Sequence, residues 1–172
     1  MAHRDDKTIR GGFTLVEIMI ALAIVGIVVM LATSSFRGMM EKYRVEGETK
    51  QIFADLMDAR GRAMQRNRSF FVQINANDYK TYEDTNPAPD GEGSLDTSND
   101  TLVANATVTH AISTNNLVGG GNFTFRFNRN GIASATGTIR VTSTAQPDYD
   151  CITVRETRIK MGKWNGTTCD EK

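Results

Sequence analysis

The chain has few of the residues that usually build a catalytic or metal site. Its 172 residues include only two cysteines and two histidines, which excludes a cysteine-rich zinc module and makes a histidine-based metal site unexpected. Twenty basic residues balance twenty acidic ones, which argues against a protein that coats nucleic acid. The sequence shows no nucleophile–base pair, phosphate-binding glycine loop or metal-ligand spacing. We therefore predict a protein of one main domain that is not an enzyme and binds no cofactor or metal.

Charge is also scarce in one long stretch near the N-terminus. Between Phe13 and Phe36 the only ionisable side chain is that of Glu17. As a helix, these 24 residues would measure roughly 36 Å, enough to cross a hydrocarbon core of about 30 Å. Three lysine or arginine residues precede the stretch, as expected for a segment held in the cytoplasm. We predict a transmembrane helix over residues 13–36.

Two simpler interpretations of this segment leave features unexplained. A cleaved secretory signal would use the small residues of Ala21-Leu22-Ala23, but this site lies in the middle of the apolar stretch. An ordinary signal anchor does not explain Glu17, because a carboxylate within an apolar span is costly. Thr14 and Glu17 have the spacing of a helix capping box, which accounts for this pair locally.

The residues Gly11-Gly12-Phe13-Thr14-Leu15-Val16-Glu17, placed before the apolar stretch, resemble the class III signal of type IV pilins and type II secretion pseudopilins. The resemblance implies that prepilin peptidase removes a leader of residues 1–12 by cutting between Gly12 and Phe13, and that the Phe13 amine is methylated. It also implies an assembly role for Glu17. A neighbouring subunit's N-terminal amine would pair with this carboxylate in the filament core.

The helix continues beyond the apolar stretch with an amphipathic pattern. Residues 37–67 contain no proline, and apolar residues recur at three- and four-residue spacing around Ile52, Leu56 and Ala59. Charged residues occupy the intervening positions. We predict that this half of the helix packs its apolar face on a sheet.

Residues 68–172 predict a β-rich globular head with a mostly antiparallel sheet, because short strand signals alternate with turn residues. Phe123, Phe125 and Phe127 alternate with polar residues and are expected to meet the helix at Ile52 and Leu56. Residues 83–100 contain prolines, glycines and many acids and predict a long exposed loop. The predicted strands cover residues 70–74, 79–82, 102–112, 123–127, 138–142, 151–154 and 158–161.

This half resembles the GspH/FimT family of minor pilins and pseudopilins, to which FimU-like proteins belong. The resemblance rests on Asp58-Ala59-Arg60 near the helix end, on Phe123–Phe127 with Asn130-Gly131 after it, and on Gly137-Thr138-Ile139-Arg140-Val141. It implies the α+β type IV pilin fold, with a long N-terminal helix on a mostly antiparallel sheet. It also implies a single-pass inner-membrane protein with a periplasmic head, which joins other minor and major pilins or pseudopilins in a filament.

The predicted function is that of a minor pilin of a type IV pilus, a structural subunit that helps to start filament assembly. One alternative is a GspH-like minor pseudopilin of a type II secretion system. A second is a FimT-like DNA-binding minor pilin for DNA uptake in natural transformation. A third, an anchored periplasmic enzyme, needs a catalytic constellation that the sequence does not contain.

Cys151 and Cys169 are predicted to form a disulfide, because a periplasmic head lies in an oxidising compartment. The bond would close a loop of about 19 residues and contribute roughly 3 kcal/mol through chain entropy. Two unpaired structural thiols are the alternative. A redox-active pair is disfavoured because the sequence has no C-x-x-C motif.

Four basic residues inside this loop, beside Trp164, form a candidate DNA contact: Arg155, Arg158, Lys160 and Lys163. Some FimT-type members resemble DNA-uptake receptors with a basic Gly-Arg-x-Arg motif, which this chain lacks. The preferred interpretation is a solvated strand face or charge pairing with neighbouring subunits.

Overall fold

The structure, a computed structural model, describes residues 12–89, 91–114 and 123–172. The chain divides into two compact units, Met1–Met39 and Met40–Lys172. A single helix, α1 (Leu15–Arg66), runs through the boundary between them. Its uninterrupted length confirms the helical interpretation of both the apolar and the amphipathic stretch. The predicted leader lies outside the described residues, apart from Gly12.

Two antiparallel sheets follow the helix. A four-stranded sheet has the order β3-β2-β1-β5, and a five-stranded sheet has the order β4-β6-β7-β8-β9. The expected helix-on-sheet architecture is therefore present, with the strands divided between two sheets. The strands are β1 (Phe70–Ile74), β2 (Asp78–Glu83), β3 (Thr101–Thr107), β4 (Ile112–Thr114), β5 (Phe123–Phe127), β6 (Gly137–Val141), β7 (Cys151–Val154), β8 (Ile159–Trp164) and β9 (Cys169–Glu171).

One apolar core joins helix α1 to both sheets. Ile52 and Leu56 of the helix are buried in the same cluster as Phe125 and Phe127 of β5. Phe123 packs against this cluster while partly exposed. The predicted contact between the phenylalanine stripe and the apolar helix face is confirmed. Burying each of these large side chains contributes on the order of 1.5–3 kcal/mol, so the core is the main attachment of the helix to the head.

The predicted strand over residues 102–112 is wrong as one element, because the chain forms β3 and β4 instead. Between the two strands, the backbone N–H groups of Thr109 and His110 donate to the Glu48 carboxylate at 3.0 and 3.2 Å. Because these two N–H groups donate to a helix side chain, they do not take part in strand pairing, and the strand is interrupted here. The short β9 was not predicted; it pairs with β8 through Trp164 and Cys169, among others.

The loop between β2 and β3 is anchored at both ends, and the prediction of an exposed loop is correct only for its middle. Asp84 and Asp100 are 1% and 7% exposed. Asp84 accepts hydrogen bonds from the backbone N–H groups of Glu92 and Gly93, at 3.2 and 2.8 Å. Asp100 Oδ1 accepts from Thr85 N–H at 3.1 Å. Buried carboxylates are stabilised by such donors, so the loop folds around its own acids.

Candidate functional site

The N-terminal motif lies at the start of helix α1. Gly12, Phe13 and Thr14 precede the first helical residue, and Phe13 is 80% exposed. The Glu17 backbone N–H donates to Thr14 Oγ1 at 3.2 Å, which makes Thr14 the N-terminal cap of the helix. The Glu17 side chain is exposed in the first turn. The cap therefore uses the Thr14 hydroxyl and the Glu17 backbone, and leaves the Glu17 carboxylate available for another partner.

The helix segment after this motif exposes its apolar side chains. Every leucine, isoleucine, valine, methionine and phenylalanine from Phe13 to Met30 is between 47% and 80% exposed. Among the described residues, no helix was found that is both long and apolar enough to cross a membrane. The transmembrane assignment of residues 13–36 therefore stays a prediction.

The structure joins Cys151 to Cys169 in a disulfide. The bond connects β7 to β9 across the intervening strand β8, and Cys151 is fully buried. On β8, Gly162 pairs with Cys151 on one side and with Glu171 on the other. The disulfide thus fixes the last strand of the sheet to its centre.

Gly162 is the residue that makes room for this arrangement. A Cβ atom at this position would come within 2.2 Å of the Asp170 carbonyl oxygen and 2.9 Å of Cys169 Sγ. Backbone atoms of a paired strand cannot move aside cheaply, so a larger residue would separate β9 from β8. The sequence analysis missed this role, for which the only signal was a glycine inside a strand pattern.

The structure brings three of the four basic residues proposed as a DNA contact together around Glu171. Arg155, Lys160 and Arg158 all reach the Glu171 carboxylate, at 3.3, 3.4 and 3.5 Å. Burial would raise the pKa of Glu171, but the hydrogen bonds from Arg155 and Lys160 and the charge of Arg158 lower it overall. These three cations therefore share a single carboxylate, which neutralises only one of their positive charges, and their side chains stay 43–56% exposed. Lys163 lines a separate cavity.

His110 forms a polar junction that the sequence analysis did not anticipate, because its partners lie on a distant helix. Its Nδ1 lies 2.9 Å from Glu48 Oε2 and its Nε2 lies 2.7 Å from Glu41 Oε1. The hydrogen bond to Glu41 raises the pKa of His110, partial burial opposes this, and Glu48 adds to the rise. Burial would raise the pKa of Glu48, but the hydrogen bonds from the His110 side chain and from the Thr109 and His110 backbones lower it overall. His110 therefore links the β3–β4 loop to helix α1 through two contacts, one with the Glu41 carboxylate and one with the Glu48 carboxylate.

The family described as Type II transport protein GspH matches residues 48–157, which is more than half of the chain. The chain belongs to the GspH family. A second match, described as the Prokaryotic N-terminal methylation motif, covers residues 8–33 and includes Gly12, Phe13 and Glu17. Comparisons with curated proteins and with solved structures gave no match.

Membership in the GspH family makes the chain a type IV pilin-like minor subunit, which is a structural component of a filament. The fold agrees, because a long N-terminal helix packs on antiparallel sheets. The family implies association with other pilins or pseudopilins and processing by prepilin peptidase. The residues predicted for these two events, Gly12, Phe13 and Glu17, lie together at the start of helix α1.

Proposed function

We propose that this chain is a minor pilin of a type IV pilus and that it helps to start filament assembly. The observation that carries the proposal is the start of helix α1, where an exposed carboxylate stands within an exposed apolar surface. The Glu17 side chain follows Phe13 by one turn, and the leucine, isoleucine and valine side chains up to Val29 are 47–76% exposed. Such a surface requires lipid, or the helices of like subunits, around it.

Cleavage between Gly12 and Phe13 would give this surface its second charge. The freed Phe13 amine is a cation, and the Glu17 carboxylate of a neighbouring subunit is its natural partner in a low-dielectric filament core. A buried charge left without its partner costs about 3–5 kcal/mol. We infer that Glu17 selects subunits whose leader has been removed, because only these present the amine.

The disulfide favours a pilus over a secretion pseudopilus, since it braces the C-terminal strand of a head that a surface filament would carry outside the cell. It connects Cys151 to Cys169 and leaves no free cysteine among the residues described. The alternative is a GspH-like minor pseudopilin of a type II secretion system, which the description of the matched family favours. In either case we place the head in the periplasm and residues 13–36 in the inner membrane.

The assembly mechanism is tested by comparing Glu17→Gln with Thr14→Val in the native host. Glu17→Gln removes the charge and keeps the cap, whereas Thr14→Val removes the cap hydroxyl and keeps the charge. We expect Glu17→Gln to reach normal membrane levels with a normal Phe13 terminus but to lose co-purification with its partner pilins. Thr14→Val should cost about 1 kcal/mol of local helix stability and keep recruitment. Normal recruitment of Glu17→Gln would exclude the pairing mechanism.

The choice between pilus and secretion system requires deletion of the gene. A minor pilin predicts fewer surface pili and normal secretion, with pili restored by the wild-type chain. Loss of secreted proteins with normal piliation would assign the chain to a type II secretion system instead.

A further inference from the structure

A cavity of about 390 Å³ opens between the loop of residues 142–150 and the end of strand β8. Its walls include the cations Arg140 and Lys163, the indole of Trp164, and the polar side chains of Ser143 and Thr144. The volume lies within the range of small-molecule sites. Arg155, Arg158 and Lys160 do not line this cavity.

Arg140 lies against the ring of Trp164 at this cavity. Its guanidinium carbon lies 5.0 Å from the centre of the Trp164 ring, the distance of a cation–π contact. Its Nε is buried and has no hydrogen-bond partner. A buried Nε is out of reach of a ligand, so the donors that Arg140 offers to this cavity are its terminal Nη groups. These two groups form a fork that matches a carboxylate.

The other polar groups define what such a ligand carries besides its charge. Asp150 Oδ1 is occupied, because it accepts the Trp164 backbone N–H at 2.6 Å. Ser143 Oγ accepts the Ala145 N–H at 3.1 Å, which leaves its own O–H free to donate. Two cations against one carboxylate leave one positive charge to be neutralised. The Thr144 hydroxyl and the Gln146 amide elsewhere in the wall suit the hydroxyl groups of a ligand, whereas the Asn165 amide is already hydrogen-bonded to Thr168 and Asp170.

The Cys151–Cys169 disulfide limits the movement of the strands that form the floor of the cavity. Trp164 pairs directly with Cys169, and Cys169 is bonded to Cys151 in the strand next to β6. Arg140 pairs with Cys151 in the register of β6 and β7. The two residues that form the stacked pair are thus each a strand partner of one half-cystine. Such a preorganised site loses little entropy when a ligand binds.

We propose that this cavity binds a hydroxylated carboxylate of the sugar-acid class, with the carboxylate on Arg140 and Lys163 and the hydroxyl groups on the 142–150 loop. Recognition requires both parts of the ligand. A neutral sugar lacks the charge that satisfies Arg140, and a simple carboxylate lacks the hydroxyl groups.

The experiment uses Trp164, which is the only tryptophan of the chain, so intrinsic fluorescence reports on the cavity wall itself. Full-length protein in micelles of a detergent without a sugar headgroup is titrated at constant ionic strength. The probes are sodium glucuronate, glucose, acetate and inorganic phosphate. We expect a saturable change with glucuronate, no saturable change with glucose, and affinities at least about tenfold weaker for acetate and phosphate.

Three variants separate the proposed contact from general charge effects. Arg140→Gln should weaken glucuronate binding by about tenfold or more, and Arg140→Lys should weaken it less, because it keeps the charge and loses the fork. Arg158→Gln is the control, since Arg158 is an exposed cation paired with Glu171. It should bind as the wild type does. Lys163→Gln provides a second test of the site if Arg140→Gln does not fold by circular dichroism.

Several results would overturn the proposal. One is the absence of a saturable change with glucuronate in the wild type. Another is an affinity for glucuronate equal to that of the wild type in the Arg140 variants, or in Lys163→Gln if Arg140→Gln does not fold. Equal affinity for glucose would show that the carboxylate is not recognised, and equal or tighter binding of phosphate would show that the ligand class is wrong.

Discussion

Replacing His110 with glutamine should destabilise the head in a way that depends on pH. Both nitrogens of the His110 ring face carboxylates, Glu48 at 2.9 Å and Glu41 at 2.7 Å, and the His110 side chain is only 11% exposed. A neutral ring carries one N–H and can donate to only one of them. The protonated ring donates to both, so the junction favours the charged form.

The size of the effect follows from the exposure of each partner. A hydrogen bond to a charged group contributes about 1.5–3 kcal/mol when it is shielded from water. The Glu48 side chain is 18% exposed and fits this range, whereas Glu41 is 39% exposed, so its contact is worth no more than the ~1 kcal/mol of a surface pair. Glutamine keeps one neutral donor. We therefore expect His110→Gln to lower the free energy of unfolding by about 1–2 kcal/mol at pH 6.

The pH dependence has a definite sign. The pKa of His110 is raised in the folded state, so its contribution is complete below the unfolded value of 6.5 and is lost as the pH rises through the higher folded value. The pKa of Glu48 is lowered, so its contribution is present above 4.5 and is lost as the pH falls through the folded value. The difference between wild type and His110→Gln should therefore be largest between about pH 4.5 and 6.5.

Urea unfolding of full-length protein in micelles, followed by Trp164 fluorescence from pH 4 to 9.5, measures this difference. Glu41→Gln is the matched control, because it removes one of the two carboxylates and should move the loss of stability to lower pH. A difference between wild type and His110→Gln that stays constant with pH, or that grows above pH 8, would refute the charged junction.

Three further predictions concern processing and the C-terminal strand. Mass spectrometry of membrane-purified protein should find a chain that begins at methylated Phe13 after cleavage at Gly12; a start near residue 24 would contradict it. Cys151→Ser with Cys169→Ser should lose roughly 3 kcal/mol in chemical denaturation, and an unchanged midpoint would argue against a structural bond. Gly162→Ala should lower the melting temperature, because its Cβ meets the backbone of strand β9; equal melting would show that the strand can shift.

Local patterns predicted the helix and the core well because their causes are local. The spacing around Ile52 and Leu56 follows directly from the helical period, and the alternation of Phe123, Phe125 and Phe127 follows from the strand period. Both patterns led to side chains that are buried together. The spacing of apolar residues within an element is therefore enough to predict which of its faces is buried.

The polar contacts could not be predicted in the same way, because each joins residues far apart in the chain. His110 meets Glu41 across 69 positions, and Arg155 meets Glu171 only because β9 pairs with β8. The sequence analysis did not single out the first, and it treated the second as part of a candidate DNA contact. Tertiary pairing decides which charges are neutralised, and no short motif encodes it.

Helix α1 is attached to the head by two kinds of contact at different positions along its length. From Ile52 to Ala63 its inward side chains are apolar and buried, and such contacts are insensitive to pH. From Glu41 to Lys50 one apolar side chain, Val45, also belongs to this core, and the other contacts are polar: the β3–β4 loop binds Glu48, and the Asp148 backbone N–H donates to Glu46 Oε1 at 3.0 Å. Because local opening follows the weakest contacts, this part of the helix, with its single buried apolar side chain, should separate from the head before the part from Ile52 to Ala63 does.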